Sequence, residues 1–345
     1  MENNNNNNNN SITYKYEIES QTILVNPFNN TFWLQVNKIV ETLFGYASTY
    51  VQCDYDNISQ KFVQINVDEH LPVNIILVKE SRNNLIINGI STKGHYVNEN
   101  PFTEVNIINS IPQHQNIGSI LFSIIDSELF YIASPFYNGG DLFDLILNNN
   151  ISEINSLILF RGIVHAVKHL HDNNIVHLDI SPENIMINYE LNGLMVPKLI
   201  DFGIAQQINK DNDIIQLNRS IGKDIYMSPE MFDINIQTKI YQTESISIRT
   251  KPCDIWTLGT TLMFILYKLR VCHKYPSIDK DAIFKEIFDN GDNKIENFIR
   301  NCKHNPSTSV IKLLNRMLQI NPNDRITINE LITVVDETIT IINNS

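Results

Sequence analysis

Cysteine is scarce: four in 345 residues, at Cys53, Cys253, Cys272 and Cys302, with no CxxC pair and no histidine at zinc-finger spacing. That speaks against a disulfide scaffold or a zinc module and predicts reduced, mostly buried thiols in a cytosolic or nuclear setting. Long hydrophobic runs are missing as well. The most apolar stretch, IWTLGTTLMFILYKL at Ile255–Leu269, is too short and too interrupted by threonine to span a bilayer, so it predicts a buried helix and no membrane insertion. No apolar run follows a basic start at the N-terminus, so a signal peptide is not expected. Positive charge is also short: 26 Lys and Arg stand against 38 Asp and Glu, a net charge of −12. A chain of that sign is a poor match for nucleic acid or an anionic membrane surface. These absences predict a cytoplasmic protein, with the nucleus open as an alternative, whose partners are unidentified proteins.

What is present suits a globular chain: 43% hydrophobic and 19% charged residues leave ample material for a core. Asn3 to Asn10 is an unbroken asparagine run that cannot bury apolar surface, which predicts a disordered tail over 1–10. Residues 11–60 carry no motif and form an extension of unknown role, with an amphipathic helix expected around Trp33–Leu43. Short runs rich in Ile and Val, KFVQINV, NIILVKE and NLIING, follow between Lys61 and Asn88 and read as strands. A helical stretch begins at Pro101. SILFSII and ELFYIAS then read as a strand pair joined at Asp126-Ser127, and beyond Asn138–Ile146 (NGGDLFDLI) the pattern is mostly helical. Strands followed by helices predict an α+β fold with a small β lobe and a larger α lobe.

An ordered series of short motifs gives this outline a chemistry. HLDISPEN lies at His177–Asn184, KLIDFG at Lys198–Gly203, YMSPE at Tyr226–Glu230, DIWTLG at Asp254–Gly259 and NPNDRITINEL at Asn321–Leu331. Upstream stand TEVNIINSIPQHQNI at Thr103–Ile117 and FYNGGDLFDLI at Phe136–Ile146. The series resembles the eukaryotic protein kinase domain, in its Ser/Thr branch, over about Phe62 to Val335. The resemblance implies a two-lobed protein-kinase-like fold: a small antiparallel β lobe with one helix, the family's αC, and a larger mainly α-helical lobe. The expected bounds are 61–337 for the domain, with lobes at about 61–136 and 137–337, and a C-terminal tail at 338–345.

Phosphoryl transfer asks the protein mainly for positioning and charge, with hard oxygen ligands for magnesium. By the resemblance, Asp179 takes the substrate hydroxyl's proton, while Asp201 and Asn184 are the metal ligands. Glu230 pairs with Arg325 to hold the large lobe, Asp254 anchors the loop carrying His177, and Ile108, Ile120, His177 and Phe202 match a hydrophobic column.

The nucleotide end departs from the family. Laid back from Glu104, the acid of αC, LIINGIS at Leu85–Ser91 matches the lysine-bearing strand. Asn88 then stands where the phosphate-gripping lysine belongs, and Ile86 where a small alanine covers the adenine. VDEHLPVNIILV at Val67–Val78 takes the place of the glycine-rich loop, with Asp68, His70 and Val73 at the glycine positions. Val67 and Ile75 are expected on the nucleotide side. Three side chains there would obstruct the close approach of backbone N–H groups to phosphate. Lys79 shares the face of Ile75 but lies ~13 Å further along at ~3.3 Å per residue, and is assigned to a strand turn away from phosphate. Ser134, Pro135 and Tyr137 match the adenine hinge, Asp141 the ribose contact, and Met186 a packing position of the nucleotide site.

The catalytic loop shows losses of its own. Ser181 replaces the lysine that neutralises the transferring phosphoryl group, and Leu178 replaces the arginine that reads a phosphorylated activation loop. Lys223 replaces the threonine that bonds the catalytic aspartate. Each such contact is worth ~3 kcal/mol of transition-state stabilisation by analogy with single oxyanion donors. The leading expectation is therefore an inactive serine/threonine-protein kinase, a pseudokinase that acts as a binding or scaffolding module. The alternative is a weak or atypical kinase that moves the ATP γ-phosphate to protein hydroxyls with Asp179 as base. ATP and Mg2+ are the ligands that the resemblance implies and the losses argue against; nucleotide binding without transfer lies between. The long interval Met231–Cys253 is either a docking loop or a tolerated surface insertion.

Overall fold

The computed structural model describes residues 14–18, 21–57, 59, 61–65, 74–95, 97–210, 212–234, 244–289 and 294–344. They form two compact units, 1–101 with 119–136 and 102–118 with 137–345.

The first unit is built on an eight-stranded sheet. Its strands are β1 (Lys15–Ile18), β2 (Gln21–Asn26), β3 (Thr31–Glu41), β4 (Gly45–Asp56), β5 (Lys61–Gln64), β6 (Ile75–Arg82), β7 (Phe122–Ile125) and β8 (Leu129–Pro135). The order is β1-β2-β3-β4-β6-β8-β7, with β5 also paired to β4, and every pairing is antiparallel. Period-two alternation decides which face each β6 side chain takes. Ile76 and Val78 point into a core with Leu24, Trp33, Tyr50 and Tyr131, while Leu77 and Lys79 are half-buried on the opposite face. Glu80 shares the buried face and is satisfied there: Tyr50 Oη donates to it at 2.7 Å and Lys15 Nζ at 2.8 Å. Burial, and next the Glu80 carboxylate, push the Tyr50 pKa far above its ordinary value.

Several expectations for this unit are overturned. Trp33–Leu43 is no helix; Thr31–Glu41 is strand β3, paired on both edges, and its aromatic and β-branched residues suit a pleated surface better than an isolated helical turn. Leu85–Ser91 is no strand. Asn83–Asn88 is helix α1, and Gly89 ends it in the left-handed conformation at φ 61°, its N–H bonded back to Ile86 and Leu85 carbonyls. Residues 15–56 are not a separate extension, because β1 to β4 belong to the same sheet as β6.

The second unit contains α2 (Pro101–Ser110, from Phe102 onward), α3 (Leu142–Asn148), α4 (Glu153–Asp172) and α5 (Lys251–Tyr267). It continues with α6 (Ala282–Phe288), α7 (Ile295–Asn301), α8 (Thr308–Met317) and α9 (Ile328–Asn343). Helix α9 runs through the expected tail boundary at 338, started by a reciprocal capping box between Thr327 and Glu330. Helix α5 is the apolar segment singled out in the sequence, and it is buried on every face, as an all-round hydrophobic helix must be. Cys53, Cys253 and Cys272 are buried free thiols and Cys302 is half-buried, as the sparse cysteine pattern led us to expect.

Arg325 locks this unit. Its two terminal nitrogens grip the Glu230 carboxylate at 2.5 and 2.7 Å, it donates further to the carbonyls of Pro252, Gln319 and Ile320, and it lies 5.0 Å over the Trp256 ring. Removing the carboxylate would strand a buried guanidinium. Glu230→Ala is therefore expected to lower unfolding free energy by ~3–5 kcal/mol in urea titration, whereas a change below ~1 kcal/mol, the range of an exposed pair, would contradict this account.

Candidate active site

The site grows from one buried carboxylate. Asp254, in the first turn of α5, is fully buried and accepts three hydrogen bonds: from His177 N at 3.0 Å, Leu178 N at 2.9 Å and His171 Nε2 at 2.9 Å. Two consecutive backbone N–H groups are thereby aimed at one side chain. This holds Leu178 at φ 64°, a left-handed conformation that costs a leucine ~1–2 kcal/mol. His177 completes the clamp. Its Nδ1 accepts from Asp179 N at 3.3 Å, which leaves Nε2 to donate to the Ile200 carbonyl at 3.1 Å, and its ring meets Phe202 edge-on at 4.8 Å. Complete burial depresses the His177 pKa, so the ring is neutral and that tautomer is consistent.

This frame presents Asp179 half-buried, with both carboxylate oxygens held. Asn184 Nδ2 donates to Oδ2 at 2.7 Å and to the Asp179 carbonyl at 2.8 Å, while Lys223 N donates to Oδ1 at 3.0 Å. Burial raises the Asp179 pKa, against the opposing pull of Lys223 and of the Asn184 hydrogen bond and with a push from the Asp201 charge. The approach of Lys223 depends on Gly222. At φ 97° it takes a conformation most side chains avoid, and a Cβ there would stand 2.5 Å from the Leu178 carbonyl oxygen. The Lys223 side chain turns back along the loop, its Nζ 2.6 Å from Ser181 Oγ and 3.1 Å from Asn184 Oδ1. Asp201 is itself at φ 67°, between Ile200, which bonds the Asn184 carbonyl at 2.9 Å, and the buried Phe202.

Leu178 packs with Ile208, Ile221, Met227 and Phe232, so apolar contact replaces an ionic grip on the segment that follows Asp201. That segment is braced further. Strand β10 (Ile214–Leu217) pairs with β11 (Ile246–Arg249), Arg249 binds Asp213 at 3.2 and 3.3 Å, and Thr250 N and Oγ1 donate to the Asp213 carbonyl. The 231–253 interval thus supplies an internal brace from its second half; residues 235–243 lie outside the described residues.

A family model described as Protein kinase domain matches residues 75–334. The chain belongs to the protein kinase family. It is 31% identical over 191 residues to Serine/threonine-protein kinase ksp1 of Schizosaccharomyces pombe, covering 53% of this chain and 37% of that protein. It is 28% identical over 251 residues to Probable serine/threonine-protein kinase fhkA of Dictyostelium discoideum, covering 66% of this chain and 40% of the other. With the Carbon catabolite-derepressing protein kinase of Candida glabrata it shares 31% identity over 214 residues, 61% of this chain and 30% of that one. The chain spans less than half the length of these curated relatives.

Within the kinase frame, the expected site residues fall in several places. Asp179, Leu178, Ser181, Asn184, Asp201 and Lys223 are brought together as described. Tyr137 is buried, and Asp141 stands beside strand β9 (Ile185–Tyr189), which carries Met186: Asp141 and Met186 form a backbone bridge, and Asp141 caps α3 by accepting from Asp144 N at 2.8 Å. In the first unit, Ile75 opens β6 and Ser134 and Pro135 end β8, opposite Leu77 and Ile76. Glu104 is buried on α2. Val67, Asp68, His70 and Val73 lie outside the described residues.

Asn88 does not hold the lysine position. It is exposed on α1, its Nδ2 bonded to the Asn84 carbonyl at 2.7 Å, and Ile86 is that helix's one buried residue; neither lies on a strand. The strand that precedes the acid-bearing helix is β6, paired between β4 and β8, and its lysine is Lys79, opposite Ala47 and Ile132. Lys79 lies inside a strand and not at a turn. The strand pair ahead of it is β3–β4, so counting the family's G-x-G-x-x-G pattern back from Gly45 puts Val40 and Thr42 at the first two glycine positions. Gly45 itself is dictated by packing, since a Cβ there would run into the Glu80 carbonyl oxygen. The signal missed in the sequence was Phe44-Gly45 followed by Thr49-Tyr50-Val51, β-branched and aromatic residues that favour a strand.

Asp254→Asn tests the clamp. It turns one acceptor into a donor facing a backbone N–H, so one of the loop's amides loses its partner. Urea unfolding is expected to show ~1–3 kcal/mol of destabilisation; a variant as stable as the parent would rule the clamp out. Among the described residues no helix is long and apolar enough to cross a membrane.

Proposed function

We propose that the chain is an ATP-dependent kinase acting on protein Ser or Thr hydroxyls, the weaker of the two sequence expectations. The observation that carries this is the Asp179 carboxylate, oriented by Asn184 on one oxygen and by Lys223 N on the other. Each oxygen keeps a lone pair, so Asp179 can accept the hydroxyl proton without giving up either positioning bond. One of the arguments for inactivity loses its basis: Asn88 is not on the lysine strand, and a lysine, Lys79, does lie on the strand that precedes α2.

Magnesium, when bound with nucleotide, would supply positive charge beside the phosphates. Asp201 and the remaining lone pair of Asn184 Oδ1 are the oxygen donors that would hold it. Among the described residues no group of three or more His, Cys, Asp or Glu forms a metal cluster, which suits an ion that takes one or two protein oxygens plus phosphate.

The second reading, a pseudokinase that binds partners, is favoured by the β3–β4 turn. Val40 and Thr42 carry side chains where glycines would admit phosphate, and Thr42 Oγ1 takes up the Gly45 N–H at 3.1 Å. That donor is spent inside the turn.

Labelled ATP, magnesium and a mixed Ser/Thr peptide library separate the two. The purified chain is expected to transfer phosphate, with Asp179→Asn slower in kcat by ~10²-fold or more, the usual worth of a general base. Equal rates for parent and variant would sink the kinase reading, and a nucleotide-dependent melting shift without any transfer would favour the scaffold.

A further inference from the structure

Ser181 and Lys223 carry each other's chemistry. In the resemblance set out above, a cation stands at 181 and a hydroxyl at 223; in this chain the hydroxyl is at 181 and the ammonium at 223. The two still touch, Nζ to Oγ at 2.6 Å. We propose that Lys223 is the catalytic cation of this site, delivered by the segment after Asp201 in place of one delivered by the catalytic loop. This rests on the kinase reading of the same site.

The geometry argues against a surface lysine that merely satisfies Ser181. Both ends of the residue are engaged with the base: the backbone N–H bonds Asp179 Oδ1 at 3.0 Å, and Nζ lies 3.9 Å from Asp179 Oδ2. Nζ also reaches Asn184 Oδ1 at 3.1 Å and Glu183 Oε2 at 3.8 Å. Four loop oxygens thus surround one ammonium, while the side chain stays 36% exposed and open to an incoming anion. Ser181, by contrast, is fully buried and can serve only as the anchor for that ammonium. Gly222 permits this approach, since a side chain there would clash with the Leu178 carbonyl and push Lys223 away.

The step balances without any further reactant. A bond forms between the substrate hydroxyl oxygen and the γ-phosphorus as the bond from that phosphorus to the ADP bridging oxygen breaks. The electron pair leaves with ADP, and the hydroxyl proton passes to Asp179. Lys223 Nζ donates a hydrogen bond to a non-bridging oxygen of the moving phosphoryl group and keeps its proton. Its contribution is electrostatic and falls on the transition state.

The test is an exchange cycle read by kinetics and by binding. Lys223→Met is expected to lower kcat by ~10²-fold or more, as loss of one preorganised donor does, with KM for peptide and ATP within ~3-fold. The double variant Ser181→Lys/Lys223→Thr restores the family arrangement and is expected to recover turnover to within ~10-fold of the parent, a rescue additive losses would forbid. In parallel, ADP with magnesium and aluminium fluoride, a mimic of the transferring phosphoryl, should raise the melting temperature beyond ADP and magnesium alone. Lys223→Met should lose that increment and keep the ADP shift. If Lys223→Met turns over within ~3-fold of an active parent, or the exchange fails to rescue, the inference falls and the kinase reading stands. A parent with no transfer at all overturns both.

Discussion

One buried carboxylate sets the geometry on which the rest of the site depends. Asp254 has no solvent to pay its desolvation, so it must be met by donors, and it takes them from the backbone of His177 and Leu178 and from His171. Backbone donors fix the path of the chain, not merely the position of a side chain. Leu178 is held in a conformation it would otherwise leave, and Asp179 is turned toward Asn184 and Lys223 as a result. The Asp179 carboxylate is therefore oriented from within the helical unit, through the backbone contacts of its two preceding residues with Asp254.

The same logic explains how the segment after Asp201 is held. An arginine at 178 would need a phosphate to pair with; a leucine needs only apolar neighbours, and Ile208, Ile221 and Met227 provide them. The β10–β11 pairing and the Arg249–Asp213 contact add a brace from the 231–253 interval. Ordering that elsewhere depends on a charge switch is here supplied by packing and strand pairing, which fits a site whose lysine arrives from that segment.

How much was legible in the sequence differs between the two units for a physical reason. In the helical unit, the Glu230–Arg325 pair and the Asp254 anchor were readable from short motifs, and Asp179 and Asn184 of one such motif meet as neighbours. The sheet gives no such local cue. Trp33–Leu43 has spacing that suits a helix, and only pairing to β2 and β4 makes it a strand. The strand assignments that follow it moved as well: with the β3–β4 hairpin unseen, β6 was taken for an earlier strand and Asn88 for the lysine, when a glycine stop after Asn88 shows that segment to be a helix end. The contact between Ser181 and Lys223 was likewise out of reach, since 42 positions separate them and the meaning of each substitution depends on the other. Read singly, both were losses; read as a touching pair, they are an exchange.

The most direct measurement of the clamp is native-state hydrogen exchange at individual amides. If Asp254 holds the loop as described, the His177 and Leu178 amides should be protected as strongly as the buried amides of α5, exchanging only with global unfolding. Exchange of those two amides at the rate of the exposed turns, while α5 stays protected, would contradict the account.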